Sequence, residues 1–75
     1  MKTEKQKSIG DEIVEQIERT GSAFSVKMTQ CGGYSTAFLY NNTCEELVII
    51  QESSSDFKTI YIDYDEIESL KSILP

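Results

Sequence analysis

Seventy-five residues with no histidine, two cysteines and a net charge of −6 hold one domain with one modest core. Four Cys/His ligands for a tetrahedral zinc site are not present in one chain, so neither a structural metal nor a cofactor is expected. The charge is uneven: Lys2, Lys5 and Lys7 lie in the first seven positions, leaving twelve acids against four bases from Ser8 onward (12 − 4 = 8 net negative charges), which disfavours nucleic acid and anionic membranes as direct partners.

Residues 1–7 read as a flexible polar tail, and residues 8–75 as a single α+β domain. The N-terminus has no apolar stretch of signal-peptide type, and no run approaches a membrane span, so the expected compartment is cytoplasmic with reduced thiols. From Ser8 to Thr20, Ile9, Ile13, Val14 and Ile17 recur at helical spacing, with Asp11, Glu12, Glu15 and Glu18 on the opposite side. Acids near the start, Arg19 near the end and Gly21 as terminator complete a helix signature.

Period-two runs follow. Ser22 to Gln30 alternates Phe24, Val26 and Met28 with Ser25, Lys27 and Thr29, as a half-buried strand does. Gly32-Gly33 suits a primed two-residue hairpin turn, returning through Tyr34 to Tyr40. Pairing Cys31 with Tyr34 sets Met28 against Ala37 and Val26 against Leu39 on a core face that includes Phe24. Tyr34, Thr36, Phe38 and Tyr40 share the other face. Asn41-Asn42-Thr43-Cys44 reads as a turn. The unbroken Leu47-Val48-Ile49-Ile50 within Glu45 to Glu52 marks a central strand covered on both sides. After the polar loop Ser53 to Asp56, Phe57 to Ile62 forms a fourth strand, with Ile60 and Ile62 on one side and Phe57 and Tyr61 on the other. Asp63, with Glu66 three residues on, is a capping box for a C-terminal helix whose buried stripe would be Ile67, Leu70, Ile73 and Leu74.

The expected architecture is therefore an N-terminal helix, a four-stranded antiparallel meander and a C-terminal helix, with both helices on one sheet face. The uncovered face would expose Tyr34, Phe38, Tyr40, Phe57 and Tyr61, an apolar surface of the kind that marks an interface.

Catalytic readings are weak. A reactive Cys31 or Cys44 needs a base, and histidine is absent; Glu45 and Glu46 would raise the pKa of Cys44. Glu45-Glu46 and Asp65-Glu66 are neighbours in sequence, not a facing acid–base pair across a cleft. Gly32-Gly33 lacks the Lys-Ser/Thr of a phosphate loop and leads into a strand. The two cysteines would form a disulfide only if their strands brought them together.

What remains is surface. Asp11, Glu15 and Glu18 make one carboxylate stripe; Asp63, Asp65, Glu66 and Glu68 gather at the second helix start. Such spaced carboxylates imitate nucleic-acid phosphates. In size, acidity and layout the chain resembles small phage-encoded inhibitors of host proteins, including acidic anti-CRISPR proteins and DNA mimics. The resemblance spans the general layout and charge, without a shared motif; the charge is more modest, and Ser, Thr and Tyr fill much of the strand surface. It implies a non-enzymatic binding protein that blocks a surface of a larger, basic protein. Tyr34, Phe38, Tyr40 and Tyr61 would supply packing, and Asp11, Glu15, Glu18, Asp65, Glu66 and Glu68 charge. The alternative is a homodimeric structural or accessory protein whose acids only confer solubility.

Overall fold

Two cap signals and one turn set the fold of the chain, whose computed structural model describes residues 8–54 and 56–75. The expected tail at residues 1–7, and Ser55 of the polar loop, lie outside the described residues. The order is α1 (Ile9–Thr20), β1 (Ser25–Cys31), β2 (Tyr34–Asn41), β3 (Glu46–Glu52), β4 (Phe57–Ile62) and α2 (Tyr64–Ile73), with the strands in sheet order β1-β2-β3-β4, all antiparallel.

The Ser8 hydroxyl caps α1 by accepting from the Asp11 N–H at 3.2 Å. Gly21 closes it in the left-handed region (φ 69°), where its N–H reaches the Ile17 carbonyl at 2.8 Å. The capping box of α2 forms in both directions: Asp63 accepts from the Glu66 N–H at 3.1 Å, and Glu66 accepts from the Asp63 N–H at 3.2 Å.

At the hairpin, Gly32 (φ 59°) and Gly33 (φ 84°) supply the two positive φ angles of a type I′ turn. The turn pins the register expected from it, with Cys31 opposite Tyr34, Met28 opposite Ala37 and Val26 opposite Leu39. The β2–β3 connection uses a side chain instead. Asn41, fully buried, accepts through Oδ1 from the N–H groups of Thr43 (2.8 Å) and Cys44 (3.3 Å), while its Nδ2 has no hydrogen-bond partner among the described residues. The last loop residue, Glu45, sits at φ 54° without being glycine.

The core lies between α1 and the middle of the sheet. Ile9, Ala37, Leu39, Val48 and Ile50 are buried together, with Ile13, Phe24 and Phe57 packed at the margin. On β3, Val48 and Ile50 are sealed, whereas Leu47 and Ile49 on the reverse side are half-buried.

Two expectations change. Along α1, Glu12 and Gln16 are buried while Val14 (53% exposed) and Ile17 turn outward, so the helix is rotated about its axis from the stripe expected of it. The cause is a polar network, described below, that outweighs two aliphatic side chains. Along α2 no residue is buried, and Ile73 is 77% exposed, so the expected buried stripe is mostly open surface. Only α1 enters the buried cluster. The Lys71 ammonium of α2 is held above its usual pKa mainly by its hydrogen bond to the Glu68 carboxylate.

A left-handed residue with a Cβ costs about 1 kcal/mol or more. Glu45→Gly relieves that cost and is expected to raise unfolding stability by about 0.5–1 kcal/mol in urea titration. Asn41→Ala leaves two turn N–H groups without their acceptor, and a loss of about 1–2 kcal/mol is expected by the same measurement.

Candidate interaction surfaces

Register sorts the sheet into two faces. Under α1 lie Val26, Met28, Ala37, Leu39, Val48, Ile50, Thr59 and Tyr61; on the reverse lie Tyr34, Phe38, Tyr40, Leu47, Ile49, Ile60 and Ile62. Tyr34, Phe38 and Tyr40 therefore share a face as expected. Tyr61 does not. It stands opposite Val48, on the core side, and Phe57 likewise packs at the core margin. On β4, aliphatic Ile60 and Ile62 take the places on the reverse face that Phe57 and Tyr61 were expected to fill. The reason is parity: once β3 commits Val48 and Ile50 to the core, its β4 partners at positions 61 and 59 must follow them.

Tyr61 has a different task. Gln16 Nε2 donates to the Tyr61 hydroxyl at 2.6 Å and to Glu12 Oε2 at 2.8 Å, and Gln16 Oε1 accepts from Arg19 Nε at 2.8 Å. Arg19 then lies 5.0 Å from the Tyr61 ring centroid and donates through Nη2 to Glu46 Oε1 at 2.6 Å. That hydrogen bond is the chief reason the Arg19 guanidinium is held above its usual pKa. The network fastens α1 to β3 and β4. Arg19 and Glu12 flank one side of the helix, so Val14 and Ile17 fall on the side turned away from β4.

Asp11, Glu15 and Glu18 share the outward side of α1, as the helical repeat requires. Asp65, Glu66 and Glu68 are exposed on α2, where Glu66 closes the capping box and Glu68 accepts from Lys71 Nζ at 3.2 Å. The two acidic groups therefore sit on different helices.

Among the described residues, no three His, Cys, Asp or Glu side chains cluster as metal ligands, and no helix is long and apolar enough to cross a membrane. Cys31 and Cys44 are free and exposed. They lie at opposite ends of β2, one opposite its first residue and the other beyond its last, which keeps them from pairing. A depression of about 350 Å³ beside the hairpin tip is lined by Gln30, Cys31, Gly32, Gly33, Tyr34 and Ser35, none of them an acid or a base that would activate the thiol.

No family model, curated protein or solved structure matches the chain.

The sequence pattern missed Gln16 and Arg19, because polar residues on a helix ordinarily read as its solvent side. Gln16→Met removes all three side-chain bonds of a buried hub and is expected to cost about 2 kcal/mol of stability. Tyr61→Phe removes one and should cost about 1 kcal/mol, while Val14→Ala should change stability by less than about 0.5 kcal/mol. Chemical denaturation of the three variants checks the ranking.

Proposed function

We propose that the chain is a non-enzymatic binding protein that occupies a surface of a larger, basic protein, as small phage-encoded inhibitors do. The observation that carries this reading is the reverse sheet face. Tyr34 (45% exposed), Phe38 (37%) and Ile60 stand open there, beside half-buried Tyr40, Ile49 and Ile62. An apolar and aromatic patch left to water is the usual signature of an interface; here Lys27 flanks it beside Phe38, and the polar row Thr29, Thr36, Gln51 and Lys58 separates Phe38 from Tyr34. Tyrosine and phenylalanine there offer large contact area at low cost in side-chain entropy.

Charge divides into two roles. Asp65, Glu66 and Glu68, exposed on α2, select a basic partner through their carboxylates. Asp11, Glu15 and Glu18 lie across the core on α1 and act at longer range, through the overall negative field that speeds encounter. Tyr61 is withdrawn from the contact set, because its hydroxyl and ring are engaged with Gln16 and Arg19.

Affinity capture from lysate, followed by titration of the captured partner, tests the reading. Phe38→Ala and Tyr34→Ala are each expected to weaken binding by about tenfold or more, corresponding to about 1.4 kcal/mol, without unfolding the chain. Tyr61→Phe is expected to leave affinity unchanged once its loss of stability is allowed for. Raising salt from about 0.05 to about 0.5 M should slow association strongly if the carboxylates steer the encounter, because screening shortens the reach of charge to a few ångströms. Binding that ignores both salt and the aromatic substitutions would overturn the proposal.

A further inference from the structure

We infer that β1 is a pairing edge for a second copy of this chain, antiparallel and centred on Met28, so that two sheets join into one. This surface is separate from the aromatic face, and the inference does not depend on the proposed function.

Every residue of β1 from Ser25 to Cys31 is exposed, including Met28 at 53%. Among the described residues the strand has a partner on one side only, β2, so alternate N–H and C=O groups along its other side face outward. The two-residue turn identifies them. Cys31 and Tyr34 flank the turn as a hydrogen-bonded pair, so Thr29, Lys27 and Ser25 also bond to β2. Val26, Met28 and Gln30 therefore point their backbone groups away from the sheet. These three positions are symmetric about Met28, which is what a two-fold antiparallel contact requires.

Register then follows from charge and overlap. Centred on Met28, the pairing uses the whole strand: Met28 meets its own copy, Val26 meets Gln30 of the second copy, and Lys27 meets Thr29. Centred one residue earlier, Lys27 would face Lys27 of the second copy, a like-charge pair that destabilises. Centred one residue later, Ser25 and Val26 lose their places opposite the second strand and meet its glycine turn.

The occupant is a second copy because this is where the chain carries no acid. Residues 22–44 contain no Asp or Glu, and Lys27 is their only base. In the joined sheet, α1, which sits over β3, lies roughly five strand spacings, about 24 Å, from its counterpart. That is about three Debye lengths at physiological salt, so the Asp11, Glu15 and Glu18 stripes do not oppose association. The other edge of the sheet is guarded. Strand β4 is flanked by Asp56 and Asp63, and antiparallel pairing of two such strands brings the acids of one copy within one residue of those of the other.

Sedimentation from about 1 to 100 µM tests the pairing, the expected dissociation constant lying in the micromolar range for an edge contact of this size. Met28→Pro removes an outward N–H and leaves the β1–β2 ladder intact; it is expected to weaken the dimer at least tenfold with unchanged circular dichroism. In a Cys31→Ser, Cys44→Ser background, Met28→Cys should form a disulfide-linked dimer on oxidation, faster than Thr29→Cys. A wild-type chain that stays monomeric, a dimer that survives Met28→Pro but not Phe38→Ala, or faster linkage at position 29 would each overturn the inference.

Discussion

The position of α1 depends on one buried amide. Gln16 joins Glu12, Arg19 and Tyr61, and through Arg19 it reaches Glu46 on β3. A primary amide satisfied at both ends in a nearly closed site is worth more than its bonds would be in water, and leaving it unpaired would cost more still. It therefore sets the rotation of the helix. Two aliphatic side chains, Val14 and Ile17, are left outside as the consequence.

That anchoring decides which parts of the sheet are covered. With α1 fastened over β3 and toward β4, the buried cluster draws on β2 and β3, and every residue of β1 stays exposed. A 75-residue chain has too little apolar surface to shelter both faces and both edges of a four-stranded sheet. The second helix does not make up the difference, since none of its residues is buried. The molecule thus carries three kinds of surface: an aromatic sheet face, a bare strand edge free of acids, and carboxylates on both helices. The first two are the kinds of surface that water leaves least satisfied.

Much of this was legible in the chain itself. The caps at Ser8 and Asp63, the stop at Gly21 and the Gly32-Gly33 turn each act through backbone geometry that a few neighbouring residues dictate, and the β1–β2 register followed from the turn alone. Tyr34, Phe38 and Tyr40 were assigned to one face correctly for the same reason, since alternation within a strand is local. Tyr61 was not, because its face depends on how β4 pairs with β3 across a loop whose geometry the residues do not specify. The buried stripe of α1 was also misread. Periodicity ranks residues by apolarity, and it has no means of seeing that Gln16 and Glu12 would find partners 2.8 Å apart and a tyrosine hydroxyl at 2.6 Å.

The sequence by itself determined the order of elements, their ends, the first hairpin and its two faces, and the acidic balance of the whole. These are short-range properties of backbone dihedrals, alternation and charge count. Tertiary structure alone decided the rotation of α1, the side taken by Tyr61, the poor burial of α2 and the nakedness of β1. Each of those depends on which surfaces compete for a small supply of apolar contacts and buried hydrogen bonds, and that competition is settled only when distant residues meet.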